Sequence, residues 1–284
     1  MAEVVVYATE RRAATARALL NAACRATGTS ARLEFYGSGS LYQRLGPRHG
    51  PPAPDVVMWF GCFWAQAAAA DGLLQSYQPA AVPSASPHDQ DWKWTTLDYS
   101  VIGAVGSPAL ATWNDVAAVS HLAFSDPERS EVGLSILLAS LDRARQTEGD
   151  AERGWTWWQN RARAGLLLAE DDDGTAAMLE DSRASHALRV GQSVRPLLGL
   201  PPLPNAVSLT AASRNVDGAR RLLDWLTSEA GSTFVAFSAW QPAGTSVSAL
   251  LQAAPALDVE WARQQYTATR RRWAQSGFGP SLDS

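Results

Sequence analysis

The chain has 284 residues, 46% of them hydrophobic, with a formal charge of −4 and a pI near 5.6. That length suits one large or two medium domains, and the apolar content excludes disorder as the default state. A mildly acidic chain offers no broad basic field, which excludes nucleic acid or an anionic membrane as its main partner, and no apolar run reaches the roughly 18 to 20 residues that span a bilayer.

In chain order, VVVY at Val4–Tyr7 is β-branched and continuously apolar, as expected of a strand buried on both faces. Residues 8–28 then show helical periodicity up to a stop at Gly28. ARLEFY alternates like a strand, GSGSLYQRLG starts a second helix, and Gly46–Pro54 is a Pro/Gly-rich surface loop. PDVVMWF is a third apolar strand, followed by a helix through FWAQAAAADGLL that closes at Gly72. Strand and helix alternating three times at this spacing predict a parallel sheet covered on both sides.

Residues 76–94 form a polar excursion that ends in the extended run TTLDYSVIGAVG, where a domain crossing is expected. A second α/β unit follows: a short helix at TWNDVAAV, a strand and turn at HLAFSDP, and a long amphipathic helix at SEVGLSILLASLDRARQ. GWTWWQNRARAGLLL and DGTAAMLEDSRASHALRV continue it as helix, strand, helix, strand. The proline cluster LPPLPN at Leu200–Asn205 marks a second crossing, so 1–101 with 206–284 form one lobe, its C-terminal helices able to touch the other lobe as well, and 102–205 form the second. VDGARRLLDWLTSEAGSTFVAFSAW is helical with a break at Gly231, and DVEWARQQYTATRRRWAQ is a last amphipathic helix.

Candidate ligand groups lie where strands hand over to helices, the usual ligand end of an open α/β sheet. Gly37-Ser38-Gly39-Ser40 would converge backbone N–H groups and two hydroxyls on the positive end of a helix, suited to phosphate, phosphonate or carboxylate. The competing reading is a glycine turn with an ordinary serine cap. Ser130 and Glu131 repeat the arrangement in the second unit, with the same alternative. Trp59 and Phe60 end a strand, and are either core or an aromatic wall for an organic ligand. Trp155, Trp157 and Trp158 read as core of the second lobe, and Asp171–Asp173 as a solvated helix start.

For catalysis the chain has no HExxH, no GxSxG and no GxxxxGK[ST]. Cys62, at a helix start, is the one nucleophile candidate, with no histidine evidently routed to it. Cys24 and Cys62 allow one disulfide at most and lack the paired spacing of a zinc site. The chain opens directly into a strand, so it is either cytoplasmic or written without a targeting peptide.

These segments in this order resemble the solute-binding proteins of ABC importers, in the two-lobed periplasmic type II class, and within it the cluster of thiamine-, ferric-iron- and phosphonate-binding members. The resemblance rests on PDVVMWFG with AQAAAADGLLQSY, on DPERSEVGLSILLASL and on ARRLLDWLTSEAGSTF, and covers nearly the whole chain. It implies two α/β lobes, each a mainly parallel sheet flanked by helices, closing by hinge motion on a solute in the cleft between them. TLDYSVIG, with Asp98 and Tyr99, resembles one hinge crossing.

The resemblance also implies a monomer that works in the periplasm or outside the cell after losing a signal peptide, without a cofactor, delivering its solute to a membrane permease. Thr9 and the Trp240-Gln241 loop sit where family members contact ligand, and Gln192 lies in the VGQS loop that matches a second-lobe binding loop. Ferric-iron members carry adjacent tyrosines there, and here Gly191 and Gln192 stand instead. Thiamine members carry a first-lobe carboxylate where this chain has Phe60 and Gly61. The expected solute is therefore an organic anion resembling a phosphonate or phosphate ester. Thiamine or thiamine phosphate, an extracytoplasmic sensor role and a thiol enzyme using Cys62 are the alternatives.

Overall fold

A computed structural model describes residues 2–9, 13–46, 53–82, 87–106, 110–170, 172–190, 194–233 and 256–278. The chain divides into two units, Met1–Tyr99 with Pro204–Trp240 and Ser100–Leu203 with Gln241–Ser284.

The first unit begins with β1 (Val4–Thr9), buried along nearly its whole length as its β-branched run predicts. α1 (Ala13–Thr27) buries Ala16, Leu19, Leu20 and Ala23, an apolar stripe of helical period, and ends at Gly28 with φ +65°, a left-handed stop that glycine adopts without steric cost. β2 (Ala31–Tyr36) leads into α2 (Ser38–Leu45), and β3 (Val56–Gly61) leads directly into α3 (Cys62–Ala70). β1 pairs in parallel with β2 on one side and β3 on the other. The sheet then continues through β11 (Leu203–Thr210), antiparallel to β3, and the short β4 (Leu74–Gln75), with β5 (Thr95–Ser100) also paired to β11. α7 (Val216–Leu226) sets Leu222, Leu223 and Leu226 into one core cluster with Leu19 and Leu20 of α1 and with Val6, Met58 and Val207 of the sheet.

The second unit holds a five-stranded sheet in the order β10 (Arg195–Pro196), β6 (Ile102–Gly106), β9 (His186–Val190), β7 (Leu122–Ser125), β8 (Leu166–Ala169). β7 is parallel to both β8 and β9, while β6 is antiparallel to its neighbours. Its helices are α4 (Glu131–Glu148), α5 (Ala151–Gly165), α6 (Asp172–Glu180) and α8 (Val259–Gln275). α4 and α5 form a hairpin across Gly149, at φ +79°, and Asp150, whose carboxylate caps α5. Trp158 is fully buried, with its indole N–H donated to Ser140 Oγ at 2.8 Å and its ring against Phe124 at 4.6 Å and Trp273 at 5.7 Å. Side chains of this size each contribute about 1.5–3 kcal/mol on burial.

Three expectations are corrected. Residues 256–278, placed with the first lobe from sequence, belong with the second unit: α8 is held there by Trp273, whose indole donates to Asp126 at 3.1 Å, and by Asp258, whose backbone N–H donates to the buried Asp142 at 2.7 Å. The crossings fall at Tyr99/Ser100 and Leu203/Pro204, two residues before the expected positions. The helical break lies at Thr227–Ser228, not Gly231; residues 229–233 are helical, and a Cβ on Gly231 would lie 2.4 Å from the carbonyl oxygens of Trp225 and Leu226. The glycine permits close packing of a helical turn against the end of α7.

Candidate functional site

At the C-terminal edge of the first sheet three neighbouring parallel strands end together, in the order β2, β1, β3. Thr9, the last residue of β1, is 8% exposed and pairs in register with Tyr36, the last residue of β2. Beyond Tyr36, Gly37 is the N-cap of α2, with Ser38, Gly39 and Ser40 as its first turn and Ser40 exposed. Trp59 and Phe60 are the residues before Gly61, with Phe60 opposite Ala206 of β11, and Gly61 is the N-cap of α3. The aromatic-wall expectation concerns side chains outside those described.

The cap residues separate the helices into two kinds. Ser130, Asp150, Asn215 and Asp258 cap α4, α5, α7 and α8 by accepting a backbone N–H on their own side chains. α2 and α3 start at glycines, with no side-chain cap. Their first-turn N–H groups, with the positive end of each helix dipole, are therefore not occupied by a side chain of the cap residue. Gly61 sits at φ −55°, ψ 139°, which any residue adopts, and a Cβ there would meet nothing within 4 Å. The fold has no steric need for glycine at this point.

In the second unit Ser130 is 9% exposed, and its hydroxyl oxygen accepts from the backbone N–H of Gly133 at 3.3 Å. The capping reading of Ser130 is therefore realised. Glu131 accepts the hydroxyl of Tyr266, 135 residues away in sequence, so its carboxylate is engaged by its own fold. Burial first, then the Glu131 charge, push the Tyr266 phenol far above the usual tyrosine range. Gln192 and Trp240 lie outside the described residues.

Sequence reasoning overlooked Tyr36, although it immediately precedes the glycine-serine run; its ring meets Tyr7 edge-on at 4.8 Å and lies under the Arg44 guanidinium at 4.2 Å. It also overlooked Ser125 and Thr175, fully buried at the end of β7 and in the first turns of α6, with hydroxyls 3.3 Å apart. Their signal was a serine ending a strand and a threonine after Asp-Gly, too common to single out. At the first crossing Asn205 donates its side-chain N–H to Asp98 at 2.8 Å, tying β11 to β5.

Cys62 is 2% exposed, and burial pushes its thiol up to about 12, outweighing the backbone hydrogen bonds that favour the thiolate. Cys24 and Cys62 are both free. A thiol-specific reagent at pH 8 is expected to leave Cys62 unlabelled in the native protein and to label it after denaturation; rapid native labelling would contradict the burial argument. Among the described residues no group of three or more His, Cys, Asp or Glu side chains is placed to hold a metal ion, and no helix is long and apolar enough to cross a membrane.

The architecture is that of the type II periplasmic binding proteins. Iron-bound HitA from Pseudomonas aeruginosa is 14% identical and superposes with a TM-score of 0.75 over 96% of this chain and 99% of that one. The periplasmic binding protein AfuA from Actinobacillus pleuropneumoniae, with fructose-6-phosphate bound, gives 14% identity and a TM-score of 0.70 over 97% of both chains. A periplasmic thiamin binding protein gives 16% and 0.69 over 96% of this chain and 95% of that one. No curated protein sequence matches. The family described as bacterial extracellular solute-binding protein matches residues 4–237, and the chain belongs to it. It is a bacterial extracellular solute-binding protein, and its family and fold neighbours are non-enzymatic binding proteins.

Proposed function

We propose that the captured solute is a small organic anion of the phosphonate or phosphate-ester kind, and that the helix starts at Gly37–Ser40 and Gly61 supply its anion contacts. The observation that carries this reading is the contrast in capping: α2 and α3 start without a side-chain cap, while α4, α5, α7 and α8 are capped by their own side chains. Backbone N–H groups at such a start hold a phosphoryl oxygen without requiring a basic side chain. Gly61 supports the same reading, because open space in front of it lets ligand approach the backbone. Thr9 and Tyr36, ending the strands beside these helices, are placed to contact the remainder of the molecule. The AfuA structure demonstrates that this fold can accept a sugar phosphate. The bound solute would then be handed to a membrane permease.

A thermal-shift panel of alkylphosphonates, sugar phosphates, thiamine, thiamine phosphate and ferric citrate tests the reading. Stabilisation by a phosphonate or phosphate ester is expected, and stabilisation by thiamine or iron with none by any phosphorylated compound would overturn it. Ser40→Trp and Gly61→Leu should each weaken binding of the responding compound at least tenfold. Both sites are open, so folding should change by no more than about 1 kcal/mol, the usual scale of a cap substitution. An unchanged dissociation constant in both variants would remove these helix starts from the site.

A further inference from the structure

The second unit contains a cavity of about 90 Å³ lined by Trp113, Asn114, Arg143, Glu148, Arg153 and Trp157 among others. Arg143 lies thirteen residues beyond Ser130 along α4, about 20 Å at the rise of an α-helix, so this cavity is at the opposite end of the helix from its N-cap.

Its lining combines cations with aromatic rings. The Arg143 side chain is 17% exposed, and its one ionic neighbour is Glu148, at 3.7 Å, too far for a hydrogen bond. Among the described residues its guanidinium donates no hydrogen bond, although it carries five N–H donors. Its nitrogens are not among the fully buried, unpartnered polar atoms, so water reaches them, and an anion entering the cavity would take the place of that water. Arg153 is exposed and makes no ion pair among the described residues, so the cavity has two cations against one carboxylate. One side is aromatic: Trp113 and Trp157 have ring centroids 4.2 Å apart, with Trp113 4% exposed. The volume matches about three water molecules, enough for a carboxylate on a one-carbon stem but too small for a phosphorylated sugar.

We propose that this cavity is a second, small-anion site that takes a short monocarboxylate of acetate size. Arg143 is its paired donor in the side-by-side geometry that guanidinium and carboxylate share, Arg153 is the second cation, and Trp157 is the wall for the methyl group. The site is independent of the proposed solute contacts on α2 and α3.

Acetate titrated against the full chain at constant ionic strength, followed by saturation-transfer NMR, tests the proposal. Saturable binding is expected in the wild type, with affinity lowered at least tenfold in Arg143→Gln and several-fold in Arg153→Gln. Asn114→Trp, at an exposed position on the rim, should block the cavity and abolish the signal, which keeps the test decisive if Arg143→Gln fails to fold. Absence of saturable binding in the wild type, or equal binding in the folded variants, overturns the proposal. Displacement of acetate by whichever compound the thermal-shift panel identifies would also overturn it, because the acetate would then occupy the solute contacts. Acetate binding that persists beside that compound supports two sites, whichever compound it proves to be.

Discussion

Gly133→Ala should destabilise the second unit by about 3 kcal/mol or more, at or beyond the upper end of the range for overpacking, and lower the melting temperature of that unit by roughly 6–12 °C. A Cβ at this position would stand 2.0 Å from the carbonyl oxygen of Ser125 and 2.7 Å from its carbonyl carbon. Both belong to the backbone at the end of β7, which cannot rotate aside as a side-chain tip would. The helix start must therefore lift from the sheet. Because the N–H of Gly133 is the one that Ser130 caps, the lift also breaks the cap and displaces Ser130 and Glu131. Calorimetry of the purified variant measures the loss. Gly61→Ala is the matched control: the added methyl meets open space, so a loss under about 1 kcal/mol is expected. Equal melting temperatures for Gly133→Ala and wild type would show that α4 does not rest on β7 as closely as described.

Asp142→Ala should cost about 3–5 kcal/mol, the range for removing one partner of a buried ion pair. The carboxylate is 0% exposed and receives four donors: Arg145 Nε at 3.0 Å and Nη2 at 2.7 Å on one oxygen, Gln146 Nε2 and the backbone N–H of Asp258 at 2.7 Å each on the other. Arg145 continues to Asp258 at 2.8 Å, so the cluster fastens the first turn of α8 to α4. Asp142→Ala is expected to release that turn, and limited proteolysis should cut near residue 258 in the variant at protease levels that leave the wild type intact. Asp142→Asn, which keeps an acceptor oxygen but loses the charge, should fall between the two. Identical digestion of all three proteins would refute the fastening.

The strands and helices built from local pattern were legible in the sequence. VVVYAT is buried along nearly its whole length because its apolar run has no polar face, and α4 starts after Ser130 because the serine caps it. What distant residues decide was not legible. α8 has an ordinary amphipathic pattern, and contacts with distant residues, such as those of Trp273 with Asp126 and Phe124 nearly 150 residues earlier, assign it to the second unit. Likewise the Glu131 carboxylate looks available in the sequence, until Tyr266 takes it. Gly231 was read as a break because glycine is a weak helix former, whereas its role is steric: carbonyls at the end of α7 leave no room for a Cβ. In the candidate site the glycines of GSGS and Gly61 drew attention correctly to helix starts. That α2 and α3 lack a side-chain cap while four other helices possess one required coordinates.

Both units are assembled from segments far apart in the chain, and this bears on how the protein is made. β11 occupies the interior of the first sheet, every residue buried, and α8 completes the aromatic core of the second unit. While the ribosome is still adding residues after 203, neither sheet with its helices has all the surfaces it must bury. α8 is made after every other described element of the second unit. The second unit therefore remains incompletely folded until its most C-terminal described helix has been made.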